Sequence, residues 1–385
     1  MATRELDKKH TAANISTAVR EILDEVGAWK PENTYVTENG ANVKAAFKDQ
    51  SWLGCAGHNL NLVLVNGLTR VSDKDDLMSE VTQLIQVCKS VVSHVKKSRI
   101  QSKLETSLKQ SVSMRWNSIL TMLKSIACNT DQLKTLADEF SDRKLQRLLL
   151  DVNNQLLTEI ISVLQPFDTA TRMLSTDHTV SIHLVAATKW QLQKHLQVKV
   201  GDSAVTGQLK SQLSSMVDQY FHVKLLHRIA ALLDPRLKAN TLSVHEKEEA
   251  VAAVREMVMS NSQVGDDFEV TEPPAKKTKI DSSQTKQDQV FSDLFNTSNA
   301  SPVVNEVDAY LNNTESADDI LSFWKTKTDV WPKLSQCAKW ILAIPATSTS
   351  SERSFSVAGR TLDDRRSQLN PDNVDGLLYL HGLSD

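Results

Sequence analysis

A regular alternation of apolar residues, three and four positions apart, runs between Asp73 and Arg99. An α-helix has about 3.6 residues per turn, so this spacing places these side chains on one face of a long helix. Acidic residues lead the stretch and basic residues end it, as the helix dipole favours. The pattern therefore predicts a long amphipathic helix. Its apolar residues are Leu77, Val81, Leu84, Cys88, Val91 and Val95.

Helical patterns of the same kind recur along the chain, whereas strand patterns are few. The run Thr34–Thr37 is typical of a short strand that ends before Asn39 and Gly40. Residues 60–65 form a compact apolar run that fits either a helix or a buried strand. A helix is predicted after Thr11, with Gly27 as its stop. Further predicted helices cover residues 41–47, 118–127, 156–174, 182–196, 225–233, 319–325, 334–343, 351–360 and 371–380.

The composition limits the classes of protein to which this chain can belong. The 385 residues can form two or three domains, and a hydrophobic content of 40% supports a packed core. Because the formal net charge is -3, any contact with DNA must come from a local basic patch. The four cysteines form no CxxC pair, which favours reduced thiols over disulfides. No apolar run reaches membrane-spanning length, so we expect a soluble intracellular protein.

A polar stretch over residues 261–303 interrupts the helical patterns. It is rich in Ser, Thr, Gln, Asp and Lys, and it shows no periodicity, so we interpret it as a disordered linker. Within it, Lys276, Lys277 and Lys279 form a short basic cluster. Such a cluster is typical either of a solvated charge run or of a nuclear-import signal.

Three short motifs carry side chains of the types that bind metals or nucleic acids. Glu38 follows the predicted strand and precedes a helix, where a carboxylate can hold Mg²⁺ or cap the helix. Cys55 and His58 form half of a zinc site, but zinc needs four ligands and no second pair has suitable spacing, so we predict no metal. Arg115 and Trp116 fit a contact with a phosphate and an unpaired base, although Trp116 also fits packing between helices.

A fourth motif, SERSFS, begins at Ser351 and places Glu352 in the first turn of a predicted helix. Taken together, the motifs closely resemble those of hAT-family (hobo, Activator, Tam3) transposases and of the BED-type zinc-finger proteins descended from them. Thr37, Asn39 and Asn42 match the family pattern T-D-N-x-x-N, with Glu38 in place of its Asp. The family patterns C-x-x-H-x-L-N-L, R-W-N-S, L-D-P-R-F-K and S-E-R-x-F-S resemble the segments that begin at Cys55, Arg115, Leu233 and Ser351.

The resemblance implies a mixed α/β, mainly α fold. A truncated ribonuclease-H-like core would be interrupted by a large all-helical insertion and closed by a C-terminal helical dimerisation block. The boundaries that follow are residues 1–70 for the residual core, 71–260 for the insertion, 261–303 for the linker and 304–385 for the dimerisation region.

The resemblance also implies catalytic roles for particular positions. In the family, the Asp at the position of Glu38 is the second metal ligand, the Glu at the position of Glu352 is the third, and the His at the position of His58 lies near the active site. The first catalytic Asp lies in a D-x-W-T-type motif upstream of the segment that matches His10, and we find no such motif and no BED finger in this chain. Asp7 stands on charged sequence and is not accepted as a replacement.

Glu38 keeps the charge of an aspartate but lengthens the side chain by one methylene, and two-metal sites need accurately placed ligands. We therefore expect that the protein is not an enzyme, that Glu38, Glu352 and His58 are catalytic remnants, and that no cofactor is bound. The alternative is a divergent DNA transposase that cleaves strands with Mg²⁺.

The function that the resemblance implies is dimerisation through the C-terminal region, as a homodimer or as a heterodimer with related hAT proteins. DNA binding through Arg115 and Trp116, in transcription regulation, stays open. We expect a nuclear location and no membrane partner. The candidate dimerisation residues, each at an interface or in a core, are Trp324, Trp331, Trp340, Phe355, Leu377, Leu378 and Leu380.

Overall fold

A computed structural model describes the chain over residues 9–69, 76–112, 116–176, 179–260, 303–361 and 376. Helix accounts for 69% of the described residues and strand for 3%, so the mainly helical class predicted from the sequence is confirmed. The chain divides into two compact units. The first contains the residues up to His227 and those from Ile344 onward, and the second contains residues 228–343. None of the described helices is long and apolar enough to cross a membrane.

The first unit contains both described strands and most of the described helices. Its elements are α1 (Ala12–Glu25), β1 (Thr34–Thr37), α2 (Ala41–Ala46), β2 (Ser51–Gly54), α3 (Ala56–Thr69), α4 (Asp76–Lys97), a short 3-10 helix (Arg99–Lys103), α5 (Trp116–Glu139), α6 (Arg143–Leu150), α7 (Asn154–Leu174), α8 (Leu184–His195) and α9 (Ala204–Tyr220). Helix α10 (Leu225–Leu232) follows α9. The second unit contains α11 (Val244–Ser260), α12 (Val303–Asn312), α13 (Ile320–Thr326) and α14 (Pro332–Leu342), and α15 (Thr349–Thr361) returns to the first unit.

The first predicted helix and the predicted strand are both confirmed. The Thr11 hydroxyl accepts a hydrogen bond from the Asn14 N–H at 3.3 Å and caps α1. Gly27 follows the helix with a φ of 63°, which glycine adopts without the steric cost that a side chain would bring. The stop predicted at this glycine therefore has a conformational cause.

The two strands form a small parallel sheet that the sequence patterns predicted only in part. Thr34 lies opposite Ser51 and Thr37 lies opposite Gly54, with α2 as the connection between the strands. Strand β2, with the sequence SWLG, was not predicted.

The main hydrophobic core lies within the first unit. Residues 60–65, ambiguous in the sequence, belong to helix α3, where Leu60, Val63 and Leu64 are fully buried. In α4, Cys88 and its neighbours on the predicted apolar face are also buried, so this helix is confirmed. Burial raises the pKa of the Cys88 thiol to about 12, which leaves this side chain as a neutral core group.

The second unit has its own aromatic core. Tyr310, Phe323, Trp324 and Trp331 are all buried and pack ring against ring, with the Tyr310 and Trp324 centroids 5.0 Å apart. The Tyr310 hydroxyl donates to the Leu232 carbonyl at 2.8 Å. These contacts tie α12, α13 and the start of α14 to the end of α10.

The L-D-P-R segment has a structural role in this unit. The Asp234 carboxylate is fully buried, and it accepts hydrogen bonds from the Arg236 backbone N–H at 2.9 Å and from Arg236 Nε at 3.0 Å. Arg236 also donates to the Asp318 carbonyl at 3.1 Å, just before the N-cap residue of α13. A buried carboxylate satisfied in this way fixes the turn that follows α10.

Two sequence predictions lie outside the described residues. The polar stretch over residues 261–303 falls there except for its last residue, and so does its basic cluster. The helix predicted over residues 371–380 also falls there, apart from Gly376.

Candidate functional site at the ends of the parallel strands

Both strands end at the same edge of the sheet because they are parallel. Glu38 follows β1, and Cys55 follows β2. The Cys55 N–H donates to the Thr37 carbonyl at 2.7 Å and joins the two strand ends. The N–H of His58, in the first turn of α3, donates to Cys55 Sγ at 3.4 Å. The fold thus assembles Cys55 and His58 directly beside the residue that precedes Glu38.

The segment before α15 packs onto this edge. The Ala346 carbonyl accepts the Ala56 N–H at 3.0 Å, and the Ser348 N–H donates to Cys55 Sγ at 3.3 Å. The Cys55 sulfur therefore accepts hydrogen bonds from two backbone N–H groups that are far apart in sequence. The CxxH motif works here as a structural link through its thiol.

The segment between α7 and α8 completes the junction. The Ser181 hydroxyl accepts the Ala346 N–H at 3.3 Å, and Arg353 donates to the Ser175 carbonyl at 2.7 Å. Glu352 is exposed in the first turn of α15, and its carboxylate accepts a hydrogen bond from the Ser348 hydroxyl at 3.4 Å. Helix α15 therefore begins at the strand ends with its acidic residue in solvent.

The polar residues around Glu38 hold the loop in place. Asn39 donates to the Asn59 side chain at 2.6 Å, Asn42 donates to the His10 carbonyl at 2.8 Å, and the Thr37 hydroxyl accepts from the Trp52 indole at 2.8 Å. A Cβ at Gly54 would lie 2.6 Å from the Asn39 side-chain oxygen, so a larger residue there would displace the Asn39 side chain. Each polar position of the T-x-N-x-x-N pattern thus makes a structural hydrogen bond. Glu38 itself is exposed.

A cavity of about 240 Å³ opens beside this loop, and sequence reasoning did not predict it. Lys44 and Lys224 place their ammonium groups 5.6 and 4.6 Å from the Trp52 ring centre. Burial, together with the nearby Lys44, lowers the pKa of Lys224. Lys224 is too far from Trp52 in sequence for a local pattern to have indicated the pair. The lining is electropositive, which suits an anionic group.

The described residues contain no group of three or more His, Cys, Asp or Glu side chains arranged to hold a metal ion. Glu38, His58 and Glu352 are all among the described residues. Their catalytic roles, which the family resemblance implied, remain predictions.

The structure places Trp116 in the core, and its base-stacking role remains a prediction. Trp116 is 3% exposed and belongs to the hydrophobic core of the first unit. Its ring packs between helices, so neither face is presented to a nucleic-acid base. Arg115, its predicted partner, lies outside the described residues.

The candidate dimerisation residues occupy different environments. Trp324 is 4% exposed and Trp331 is 7% exposed, so both are core residues of the second unit and are not on its surface. Trp340 on α14 is 41% exposed and Phe355 on α15 is 65% exposed. Leu377, Leu378 and Leu380 lie outside the described residues. Among the aromatic candidates, only Trp340 and Phe355 are accessible to a partner.

The C-terminal part of the chain matches a known family model. Residues 306–383 match the hAT family C-terminal dimerisation region. This match contains the aromatic core of the second unit as well as helix α15.

Similarity to individual proteins extends over most of the chain. Zinc finger protein 618 from Mus musculus is 25% identical over 366 residues, which cover 94% of this chain and 37% of that protein. The Hobo transposase of Drosophila melanogaster is 22% identical over 399 residues, covering 90% of this chain and 59% of that protein. Zinc finger BED domain-containing protein 4 from Homo sapiens is 22% identical over 379 residues, which cover 90% of this chain and 31% of that protein.

The chain thus spans less than two thirds of the length of each of these relatives. The resemblance to hAT transposases and BED-type zinc-finger proteins, first seen in the motifs, is confirmed. Together the family match and the relatives support a transposase-derived protein.

Proposed function

We propose that this chain is a nuclear, transposase-derived protein that forms dimers through its C-terminal region, with itself or with a related hAT protein. The observation that carries the proposal is the exposure of two large aromatic rings, Trp340 and Phe355, within the residues that match the dimerisation region. Full burial of a large apolar side chain contributes roughly 1.5–3 kcal/mol. A symmetric interface buries each residue twice, so two such rings can supply much of the association free energy.

The Trp340→Ala variant tests this surface, and the chain offers a closely matched control. Trp190 on α8 is 42% exposed and lies outside the matched region. We expect Trp340→Ala to weaken dimerisation at least tenfold, about 1.4 kcal/mol, because the lost ring contacts the partner. Trp190→Ala should leave the dimer unchanged. Sedimentation velocity over a concentration series measures both.

Phe355→Asp should weaken the dimer further, because it places a charge on the proposed interface. Phe140, 49% exposed and outside the matched region, supplies the control variant Phe140→Asp. Equal dimerisation by all four variants would show that Trp340 and Phe355 are not part of the interface.

The proposal includes a domain organisation. Residues 1–70 would belong to a ribonuclease-H-like core, 71–260 would be its helical insertion, 261–303 a linker and 304–385 the dimerisation region. The parallel pairing of β1 and β2, with Glu38 after the first strand, supports the ribonuclease-H-like assignment.

The proposal also includes the loss of strand cleavage, and therefore no cofactor. Glu38 supports it, because the longer side chain stands where the family motif has Asp. A second candidate, a divergent transposase, is favoured by one observation: the segments that carry Glu38 and Glu352 are both hydrogen-bonded to Cys55.

A cleavage assay separates these two candidates. The purified full chain is incubated with plasmid DNA and Mg²⁺, and nicked and linear products are measured. We expect no product above background, because a displaced carboxylate disrupts two-metal geometry. Mg²⁺-dependent cleavage that Glu352→Gln abolishes would establish the transposase instead.

DNA also belongs to the proposal as a partner. Because Trp116 is buried, we look for the DNA contact on other described surfaces. Electropositive surfaces of the first unit are the candidates, since phosphate contacts dominate the affinity of such complexes.

A further inference from the structure

A second electropositive depression lies between α4 and α6 and shares no described lining residue with the cavity at Trp52. Its volume is about 550 Å³. Its lining contains three lysines, Lys89, Lys97 and Lys144, together with hydroxyl and amide side chains such as Ser90 and Ser93. We call it the α4–α6 groove.

The spacing of its residues on α4 explains why they share one wall. Lys89, Ser93 and Lys97 are four positions apart, so they lie on one face of the helix. Cys88, Val91 and the other buried residues of α4 lie on the opposite face and pack in the core. The helix is therefore fixed by its apolar side while its lysine-bearing side faces the groove.

The charge of the groove departs from that of the whole chain. The chain has 47 acidic and 44 basic residues, yet the described lining contains neither Asp nor Glu. Among the described residues, no ion pair involves Lys89, Lys97 or Lys144. Three ammonium groups in one depression, with no ion pair among the described residues, attract anions and repel one another until an anion is bound.

The Asp142 carboxylate is hydrogen-bonded to a lining residue of the groove, and each of its oxygens has a partner. Asp142 Oδ2 is 2.7 Å from Nε2 of the lining residue His94, and Oδ1 accepts the Leu145 N–H at 3.0 Å as the cap of α6. Although burial opposes it, the hydrogen bonds from His94 and Leu145 lower the pKa of Asp142. This carboxylate stays ionised and is bound to its own partners.

The length of the groove indicates what kind of anion it takes. Lys89 and Lys97 are eight residues apart on α4, which corresponds to about 12 Å along the helix axis. Lysines spread over that length of helix, together with Lys144 on α6, can contact more than one phosphate. Phosphates repeated along a nucleic-acid strand fit this arrangement, and hydroxyl side chains between the lysines match their oxygens.

We propose that the α4–α6 groove binds the phosphate backbone of DNA, with Lys89, Lys97 and Lys144 as the ionic contacts. The site rests on the DNA partner in the proposed function and gives it a location. Lysine contacts of this kind carry no sequence information, so the groove supplies affinity and orientation.

Lys97 and its neighbour Lys96 provide the test. Both are exposed on the last turn of α4, but only Lys97 lines the groove. Binding of a fluorescent DNA duplex to the full chain is measured by anisotropy over a series of salt concentrations. We expect Lys97→Gln to weaken binding several-fold and to reduce the slope of log K against log salt by about 1. Lys96→Gln should match the wild type.

The triple variant with glutamine at positions 89, 97 and 144 should reduce that slope by about 3, with an unchanged circular dichroism spectrum. Equal effects of Lys96→Gln and Lys97→Gln would overturn the groove and leave DNA binding to another surface. Absence of any DNA binding would overturn both the groove and the DNA partner, and it would leave dimerisation untouched. Lys97-dependent binding of inorganic pyrophosphate without DNA binding would show a small-anion site and contradict the proposal.

Discussion

Trp324→Ala is expected to destabilise the second unit by about 3–5 kcal/mol, the usual cost of truncating a buried aromatic side chain. Trp324 is 4% exposed, and its ring centre lies 5.0 Å from that of Tyr310 and 5.3 Å from that of Phe323. Its indole N–H donates to the Leu233 carbonyl at 2.9 Å. The alanine variant would lose these ring contacts, leave a cavity and remove the hydrogen bond. Urea unfolding followed by circular dichroism measures the loss.

Trp340→Ala is the matched control, because it removes the same side chain from the same unit. Trp340 is 41% exposed, so its truncation should cost about 1 kcal/mol or less. We thus predict different roles for the two tryptophans: Trp324 stabilises the second unit, and Trp340 takes part in dimerisation. Equal destabilisation by both variants would contradict the aromatic core described for residues 228–343.

Ala346→Asp is expected to destabilise the first unit by about 3–5 kcal/mol at neutral pH, since it introduces a buried carboxylate without a cationic partner. Ala346 is 1% exposed and packs in the hydrophobic core, and its backbone joins Ala56 and Ser181. Ala346 is distant in sequence from the rest of this core. The loss of stability in Ala346→Asp therefore tests whether the segment before α15 is part of the first unit.

The destabilisation by Ala346→Asp should depend on pH. Burial would raise the pKa of the new carboxyl in the folded state above its unfolded value of about 3.9. The folded state then binds more protons than the unfolded state between these two values, so stability rises as pH falls through the folded pKa. Urea unfolding at acidic and neutral pH measures this change. Ala13→Asp, on an exposed position in the first turn of α1, should cost little at either pH.

Apolar periodicity was enough to predict some helices from the sequence, but it did not identify every helix that buries one face, such as α6. Helix α4 has a buried stripe at spacings of three and four, and its periodicity alone indicated it. Helix α3 is buried on several sides, so residues 60–65 gave no period that separates helix from strand. Helices α6, α9, α11 and α12 were not predicted, although tertiary packing stabilises them as well.

The candidate site could be predicted only where local motifs marked it. The family resemblance singled out Glu38 and Glu352, but it carried no information on the hydrogen bonds that place both segments beside Cys55. The cavity at Trp52 depends on Lys224, which no local pattern connects to β2. The sequence left Trp116 open between base stacking and packing between helices, because an Arg-Trp pair has the same sequence whether the ring is buried or exposed, and the structure places the ring in the core. Whether a side chain is buried depends on tertiary packing, which a local motif does not specify.

Dimerisation is the central claim, and sedimentation equilibrium of the full chain tests it most directly. One chain has a mass of 42.9 kDa. We predict a mass that rises with concentration to twice this value, and that Trp340→Ala shifts the transition to higher concentration while Trp190→Ala does not. A mass of one chain at every concentration would contradict self-association through residues 306–383.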